Sequence, residues 1–354
     1  MSIVKTPLNS IRVKYRYYYL STTAILVVMH EINLKIITFG AATQDVFLSG
    51  KALHARRDVR TRDFVEQFPL GAKIDVENVH FDTGGGATNA AVTFARQGLH
   101  VGYVGKIGHD PAGTEIVRVL RREGVSTDRV VTDPKLTTGY STLLVASNGE
   151  RTILTHRGAS HELGAKDVAI RSLEADWFYI SSLAGNIDLL SKLLKHANNH
   201  QIQVAIDPGA AELAQTKKLR ALLPLITILK ANAEELRQLF GGVDLRDTVS
   251  RAEGVCPYVV GTNGPAGSYV AVGGKLYQAG AYQKVKVLDR TGAGDAFGSG
   301  FVAAIAKGLG VEDALTLASA NATSVVAKFG AKAGILKTHR LKRMKVKISD
   351  LEAK

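Results

Sequence analysis

The sequence contains a single cysteine, Cys256, among its 354 residues. One thiol permits neither an internal disulfide bond nor a cluster of cysteine metal ligands, so a reducing, cytoplasmic setting is expected. Cys256 lies in the apolar run before PYVVG, where a free cysteine is usually a small buried hydrophobe. A packing role is therefore favoured over a nucleophilic one.

The sequence also lacks a long hydrophobic run. The apolar stretch YYYLSTTAILVVM, residues 17–29, is shorter than the roughly 18–20 residues that a membrane-spanning helix needs, and no A-x-A cleavage pattern follows it. No membrane association is therefore expected. Residues 1–28 are expected to be an N-terminal extension outside the fold. They are either a weak targeting segment or sequence ahead of a true start at Met29, and the second is favoured because Met29 stands just ahead of the first strand-like run.

Basic residues exceed acidic ones, but the features of a nucleic-acid-binding module are missing. The formal net charge is +13, with basic runs at residues 56–62 and 337–347. Neither run is interleaved with aromatic residues, and solvated basic surfaces are more common than binding sites. We expect no nucleic-acid partner, and we interpret residues 338–354 as a basic C-terminal tail.

What the sequence does contain is an alternation of short strand-like runs and amphipathic segments. Apolar residues recur at helical spacing from Ala87 and again from Ile187. The alternation predicts an α/β fold with a doubly wound, mostly parallel sheet flanked by helices. Residues 46–83 and 137–157 show no helical period, and they predict a small β-sheet lid. The predicted strands are residues 34–40, 101–105, 176–181, 202–206, 225–230, 258–261 and 284–288.

The stretch LDRTGAGDAFGSGF, residues 288–301, combines small residues with one aspartate. If residues 284–288 form a strand and a helix follows, Thr291–Gly294 is a turn at the edge where open α/β sheets bind ligands. The backbone N–H groups of Gly292, Ala293 and Gly294 can then point at an anion, aided by the helix dipole. Asp295 beside them fits a general base that removes a hydroxyl proton during phosphoryl transfer.

A second glycine run indicates another helix that begins at a ligand. In FDTGGGATNAAVTFARQG, residues 81–98, Gly84, Gly85 and Gly86 precede a helical pattern and Asn89 lies one turn in. A glycine-rich turn with a helix cap explains this run on its own. Its pairing with the later motif favours a second surface that faces the ligand.

Five motifs in this order resemble the ribokinase family, also called the PfkB carbohydrate kinases. The resemblance covers residues 34–337, so this range is expected to form a ribokinase-like kinase domain with the lid inserted in it. The motifs are GGGATN (84–89), GYVGKIGHDPAG (102–113), NAEE (232–235), GTNGPAGS (261–268) and DRTGAGDAF (289–297).

The resemblance implies a catalytic turn and a substrate side. Asp295 matches the family's catalytic base, and the preceding turn matches its anion hole. The matching turn residues are Gly292, Ala293 and Gly294. Residues that match substrate contacts are Asp45, Gly85, Gly86, Asn89 and, by resemblance to an arginine in some keto-sugar and sugar-acid kinases, Arg157.

The resemblance also implies ATP and Mg²⁺ as cofactors. Asn232 and Glu235 match residues that organise the nucleotide phosphates and magnesium, Glu235 through water. Residues that match the ATP loop are Thr262, Gly264 and Gly267, with Asn321 near the adenine end. Asp289 and Thr291, together with carbonyl groups of residues 327–334, lie where many relatives hold K⁺.

Some positions depart from the family. Arg290 replaces a small residue beside the implied potassium site, where a cation competes with K⁺. Gly86 stands where ribokinases proper carry a lysine against the sugar, and residues 181–183 stand where they carry a glutamate. The lid builds a dimer in many relatives, so a homodimer through the lid is also implied.

The function predicted is ATP-dependent phosphorylation of a hydroxyl group on a small sugar or sugar derivative. A nucleoside kinase of the adenosine type is the alternative, and a non-catalytic sugar or nucleotide sensor on the same fold is a third hypothesis. A dehydrogenase would need an acidic residue after a second strand, but residues 311–328 have a helical pattern. No Walker-type phosphate loop occurs, and we interpret His196 and His200 as surface residues rather than metal ligands.

Overall fold

The computed structural model describes residues 18–21, 24–26, 33–146, 150–282, 285–337 and 344–351. The strands are β1 (Tyr18–Ser21), β2 (Ala24–Leu26), β3 (Lys35–Phe39), β4 (Thr43–Ser49), β5 (Arg56–Arg57), β6 (Phe64–Val65), β7 (Asn78–Gly84), β8 (His100–Gly108), β9 (Ser126–Asp133), β10 (Gly139–Val145), β11 (Arg151–His156), β12 (Trp177–Ile180), β13 (Gln203–Ile206), β14 (Ile228–Asn232), β15 (Tyr258–Thr262), β16 (Ser268–Val272), β17 (Lys275–Ala279) and β18 (Val346–Asp350). The helices are α1 (Gly86–Arg96), α2 (Pro111–Arg122), α3 (Ile187–Asn199), α4 (Ala210–Leu213), α5 (Thr216–Leu222), α6 (Ala233–Phe240), α7 (Leu245–Arg251), α8 (Ala293–Ala306) and α9 (Val311–Val326).

Several helices begin at a side chain that accepts a backbone N–H bond. Asp110 precedes Pro111 and accepts from Gly113 N at 2.8 Å, a combination that favours a helix start because proline needs no N–H partner there. Asn186 caps α3 and Asp244 caps α7 in the same way. No helix in the described ranges has the length and apolar character needed to cross a membrane.

The main sheet has the order β18-β17-β16-β15-β14-β13-β12-β3-β8-β9. The strands from β9 to β15 in this order are parallel to their neighbours, whereas β16, β17 and β18 pair antiparallel. From β3 the chain adds β8 and β9 on one side, and it later adds β12 onwards on the other. The predicted doubly wound sheet is therefore confirmed, and the carboxyl ends of β3 and β12 mark its ligand-binding edge.

Both faces of the central strands are buried by helices. In β12, Trp177 and Tyr179 join the hydrophobic core under α1, α8 and α9, while Phe178 and Ile180 join the core under α3, α5, α6 and α7. Side chains alternate across a strand, so a strand covered on both faces is apolar throughout. This explains why the predicted strands read as continuous apolar runs.

The lid is a separate four-stranded sheet with the order β11-β10-β4-β7. Strands β4 and β10 run parallel, and each outer pair is antiparallel. The two segments predicted to form the lid thus pair with each other, and the small lid sheet is confirmed. Asp45 on β4 lies directly opposite Asp82 on β7.

The predicted strand at residues 284–288 is wrong for its described part. Residues 285–288 form no strand. Instead, Leu288 N and Asp289 N both donate to Val326 O, at 2.8 and 3.3 Å, so this segment follows the end of α9. Its alternation of lysine and valine lacks a buried face, because Val287 is 50% exposed.

The predicted domain end at residue 337 also differs from the structure. Residues 346–350, which we interpreted as tail, form β18 and pair with β17 along the edge of the main sheet. Edge strands depend on backbone bonding more than on burial, and Ile348 is 48% exposed, so the hydrophobic signal was weak. In the predicted N-terminal extension, β1 pairs with β2, and the other residues of 1–28 lie outside the described ranges.

Two further predictions concern single side chains. Cys256 is buried as expected, and burial raises the pKa of its thiol to about 12, which disfavours a reactive thiolate. The assignment of His196 to the surface is wrong. His196 is 8% exposed, its Nε2 donates to Leu173 O at 2.9 Å, and its ring stacks on Phe178.

Candidate active site

The glycine-rich turn predicted to be an anion hole lies at the start of α8. Gly292 precedes the helix with φ of 76°, a conformation that strains a residue with a side chain. A Cβ at this position would lie 2.5 Å from Ala331 Cβ, so the turn packs closely against the loop that follows α9. The first N–H groups of a helix lack intrahelical partners and carry the positive end of its dipole. The turn is therefore suited to an anion, and of its N–H groups that of Ala293 also donates to Arg290 O at 3.3 Å.

Asp295 is in the first turn of α8 and is partly exposed. Asn89, in the first part of α1, donates from Nδ2 to Asp295 Oδ2 at 2.8 Å. The other carboxylate oxygen, Oδ1, lies 3.1 Å from the point that a Cβ on Gly86 would occupy. One oxygen of Asp295 is therefore held, while the other faces the space beside Gly86.

Lys332, a buried lysine behind this pair, was not predicted from the sequence. Its Nζ donates to Asn89 Oδ1 at 2.7 Å and to Thr83 O, and the residue is 4% exposed. Burial lowers the pKa of Lys332 to about 8, although the carboxylates of Asp82, Asp45 and Asp295 oppose this shift. The available sequence signal is a long cationic side chain set among small residues in GAKAG, residues 330–334.

The structure brings Asp45 to the same cluster. Asp45 is 5% exposed and accepts from Thr43 Oγ1 at 2.9 Å. Burial raises the pKa of Asp45, and the ammonium group of Lys332 opposes this shift. Asp45, predicted as a substrate contact, and Asp295, predicted as the base, therefore both interact electrostatically with one buried cation.

Asn232 and Glu235 lie together at the start of α6. The side chain of Asn232 accepts from Glu235 N at 3.0 Å, and Glu235 Oε2 accepts from Asn232 N at 2.8 Å. This reciprocal capping box accounts for the residue types at both positions without a ligand. It also holds two side chains rich in oxygen at the carboxyl end of β14.

A buried ion pair, which was not predicted from the sequence, lies next to the residues predicted to bind the nucleotide. It joins Lys230 and Asp207. Lys230 Nζ donates to Asp207 Oδ2 at 2.8 Å, and both side chains are about nine-tenths buried. Burial lowers the pKa of Lys230, but the carboxylates of Asp207 and Asp295 outweigh this and raise it overall. A Cβ on Gly294 would lie 3.3 Å from Lys230 Nζ, so this cation sits directly behind the catalytic turn.

The loop predicted to lie along ATP begins beside Asn232. Thr262 ends β15 and pairs in register with Asn232 of β14. Gly264 then starts a short 3₁₀ turn that ends before Gly267, and Asn263 N donates to Gly267 O at 2.8 Å. The structure thus places Thr262 and this turn at the carboxyl edge shared with Asn232.

The structure does not bring Asn321 to this edge, contrary to the prediction of an adenine contact. Asn321 lies on α9 and is 0% exposed. Its Nδ2 donates to Ala296 O at 2.9 Å, and its Oδ1 accepts from Leu336 N at 2.9 Å. Its amide is used to tie α9 to α8 next to Asp295, so it supports the site from behind.

The two segments implied in potassium binding are neighbours. Asp289 Oδ1 accepts from Thr291 N at 2.9 Å and from Thr291 Oγ1 at 2.7 Å, while Oδ2 accepts from Gly330 N at 3.1 Å. These bonds join the predicted Asp289–Thr291 segment to the 327–334 loop. They use three of the roughly four acceptor positions of the Asp289 carboxylate, so carbonyl oxygens would supply most of the ligands to a monovalent ion.

Arg157 is exposed at the rim of a separate cavity of about 490 Å³. The cavity is bordered by Lys135, Leu136, Thr137, His156, Gly158, His161 and Glu162. It adjoins the lid, because a Cβ on Gly139 would lie 3.0 Å from Arg157 O and Gly139 pairs with Thr43 on β4. Arg157 is thus near the strand of Asp45 but outside the buried cluster.

Comparison with known proteins identifies the family and the fold. Residues 58–338 match the family described as pfkB family carbohydrate kinase. The ribokinase of Bacillus subtilis is 30% identical over 259 residues, which cover 71% of this chain and 84% of the relative. The structure of Arabidopsis thaliana ribokinase complexed with ribose and ATP is similar, with a TM-score of 0.71 at 22% identity over 86% of this chain and 96% of that chain.

A nucleoside kinase has the same fold. The structure of the Burkholderia thailandensis nucleoside kinase in complex with inosine has a TM-score of 0.68 at 19% identity, over 85% of this chain and 94% of that chain. The family match spans most of the chain and includes both glycine turns and Asp295. The chain therefore belongs to the PfkB family and is a carbohydrate kinase with a ribokinase-like fold.

Proposed function

We propose that the protein transfers the γ-phosphoryl group of ATP to a hydroxyl of a small sugar or sugar derivative, with Asp295 as the general base. The main support for the proposal is that only one of the two carboxylate oxygens of Asp295 is hydrogen-bonded to Asn89. Asn89 binds one carboxylate oxygen, and the other faces the space beside Gly86, next to a helix N-terminus suited to phosphate.

The reaction follows from this arrangement. The substrate hydroxyl gives its proton to Asp295 Oδ1 as its oxygen forms a bond to the γ-phosphorus, while the bond from phosphorus to the bridging oxygen of ADP breaks. The N–H groups of residues 292–294 stabilise negative charge on the transferred group. Lys230, behind Gly294, adds positive potential from within the protein.

Magnesium fits the residues on the nucleotide side. Asn232 and Glu235 supply hard oxygen atoms at the edge of the sheet, and their mutual bonds favour contact with the ion through water, consistent with the slow dehydration of Mg²⁺. Bound there with ATP, magnesium would neutralise charge on the nucleotide phosphates. A potassium site at the carbonyl groups beside Asp289 remains part of the proposal.

The polar character of the substrate side supports a sugar over a nucleoside. Asp45, Asp82 and Asn89 offer groups that hydrogen-bond to hydroxyls. A flat base needs apolar surface, yet Phe47 is only 4% exposed and lies against His80. The exposed Phe64 and Phe68 keep the nucleoside kinase as the second candidate.

Asp295→Asn is expected to lower turnover by about 10² to 10⁴, the range for loss of a general base, while ATP affinity changes by no more than about threefold. Turnover is measured by ADP release and ATP affinity by calorimetry. Asp188→Asn is the matched control, since Asp188 also lies in the first turn of a helix. Near-normal turnover of Asp295→Asn would remove this residue from the mechanism.

Gly86→Ala is expected to lower turnover by about 10², because the new methyl group would lie 3.1 Å from Asp295 Oδ1 and 2.3 Å from Ser181 Oγ, where the acceptor hydroxyl is proposed to bind. Adding Ser181→Gly should recover part of the loss by relieving the second contact. Gly310→Ala is the control, since no atom lies within 4 Å of a Cβ there. Equal turnover of Gly86→Ala and the control would contradict the proposed acceptor position.

Arg157→Ala is expected to raise the Michaelis constant for the sugar more than that for ATP, because guanidinium groups favour oxygen-rich ligands. The measurement is a phosphorylation panel of pentoses, hexoses, sugar acids and nucleosides, with Arg171→Ala as an exposed arginine control. A nucleoside with the highest kcat/KM would favour the second candidate. No transfer to any acceptor would favour the sensor hypothesis.

We also propose a homodimer through the lid. On the lid face opposite Asp45, exposed apolar side chains lie in adjacent rows, and a second copy would cover them symmetrically. These are Val79, Phe81, Tyr140 and Leu154, exposed by 50, 63, 37 and 58%.

Phe81→Glu should shift a dimer to monomer in sedimentation experiments, whereas Val243→Glu, at another exposed position, should not. A monomeric wild-type protein would reject this proposal.

A further inference from the structure

The ammonium group of Lys332 ends inside the protein, where three segments meet. It bonds to Thr83 O on lid strand β7 and to Asn89 Oδ1 on α1, and the carboxylates of Asp45, Asp82 and Asp295 surround it electrostatically. Burying a cation is costly unless polar groups compensate it. A long charged side chain directed inward at this point therefore needs an explanation beyond packing.

The chemistry of the Asn89 amide supplies one. An amide has an acceptor oxygen on one side and a donor nitrogen on the other, whereas an ammonium group can only donate. Because Lys332 occupies one side of Asn89, Oδ1 must face it at 2.7 Å. Nδ2 then faces Asp295 Oδ2 at 2.8 Å. The reverse orientation would set a donor against Lys332 and an acceptor against a carboxylate.

The orientation of Asn89 decides which oxygen of Asp295 is available. With Oδ2 held by Asn89, Oδ1 is directed to the space beside Gly86. A carboxylate without this bond can rotate about its side chain, and a small misplacement of a base costs much of its effect. Lys332 thus reaches the proposed base through a single intermediate residue.

We propose that Lys332 is a positioning residue that orients Asn89, and through it the carboxylate of Asp295, toward the acceptor hydroxyl. The inference rests on the proposed function, because it assumes that Asp295 is the base. It assigns a role to a residue outside the two glycine motifs, on the loop that packs against Gly292. Lys332 itself touches neither of the reacting atoms in this assignment.

A double-mutant cycle tests the assignment. Lys332→Met and Asn89→Ala should each lower turnover by about 10², the effect expected for a misplaced base, while the Michaelis constant for ATP changes by less than about threefold. If Lys332 acts through Asn89, the double variant should be no slower than the slower single variant. Losses that multiply in the double variant would overturn the inference.

Lys307→Met is the matched control. Lys307 is also a buried lysine, 9% exposed, with its Nζ 3.5 Å from Gln97 Oε1 and remote from Asp295. Its replacement should leave turnover within about twofold of wild type. A loss in Lys307→Met equal to that in Lys332→Met would show that removal of any buried lysine has this effect, and would contradict the inference.

A crystal structure of Lys332→Met decides the matter independently of the substrate. The expected result is an Asn89 amide turned away from Asp295, beyond hydrogen-bond distance. An unchanged 2.8 Å bond would overturn the inference even in an active kinase. If wild type phosphorylates no acceptor, the proposed function fails, and this structural result still stands. Lys332→Leu, which also removes the donor to Asn89, replaces Lys332→Met in both experiments if the latter does not fold.

Discussion

The hydrogen bond between Asn89 and Asp295 joins residues 206 positions apart in the sequence, and the site depends on it. It requires that α1 and α8 start at the same edge of the sheet. That condition is met because α1 and α8 pack against each other on one face of the main sheet, in which β3 lies between β12 and β8. Because Asn89 follows one glycine turn and Asp295 follows the other, neither turn forms the site without the other. Each turn contributes a helix start, and together they enclose the space beside Gly86.

Positive charge is the second constraint on the site. Lys230 lies behind the turn on the nucleotide side, and Lys332 lies behind Asn89 on the substrate side. Each is buried and each interacts with Asp295. In the proposed reaction, phosphoryl transfer would place negative charge between these two sides, where two fixed cations in a region of low dielectric constant would favour it. The carboxylates near both lysines offset part of the free-energy cost of burying their charges in the absence of a ligand.

Much of the fold could be predicted because its signals are local. Strands covered on both faces read as apolar runs, and glycine turns read as small residues before a helix, so the order of elements and the position of Asp295 followed from the sequence. The strand prediction for residues 285–288 was wrong because alternating lysine and valine does not show whether a neighbouring strand is present to pair with. Strand β18 was not predicted because it lies at the edge of the sheet, where a strand pairs through its backbone without burying many apolar side chains.

The site was less predictable where a side chain's direction decides its role. Nothing in GAKAG indicates that Lys332 points inward, and nothing in the strand of Lys230 distinguishes a buried lysine from one at the end of a strand. Resemblance placed Asn321 at the adenine, but its amide is consumed by Ala296 O and Leu336 N. Residue type and spacing predict which elements meet. They do not predict which polar groups are already satisfied by the protein.

Lys230 is paired with Asp207, whereas Lys332 is hydrogen-bonded to Asn89 and Thr83. The cost of burying charge argues that neither lysine is present mainly for stability. Taking a cation and a carboxylate out of water costs about as much as their attraction returns, so replacing both partners by apolar residues of similar volume often leaves a fold intact, whereas removing one partner is destabilising. Lys230 and Lys332 come from different elements, β14 and the loop after α9, and their ammonium groups lie behind the glycine turn and behind Asn89. Placing a buried charge at each position requires the surrounding groups to fit it. In the roles proposed for the two lysines, this arrangement fixes the direction of the Asp295 carboxylate through Asn89 and the electrostatic potential around it before the substrate binds.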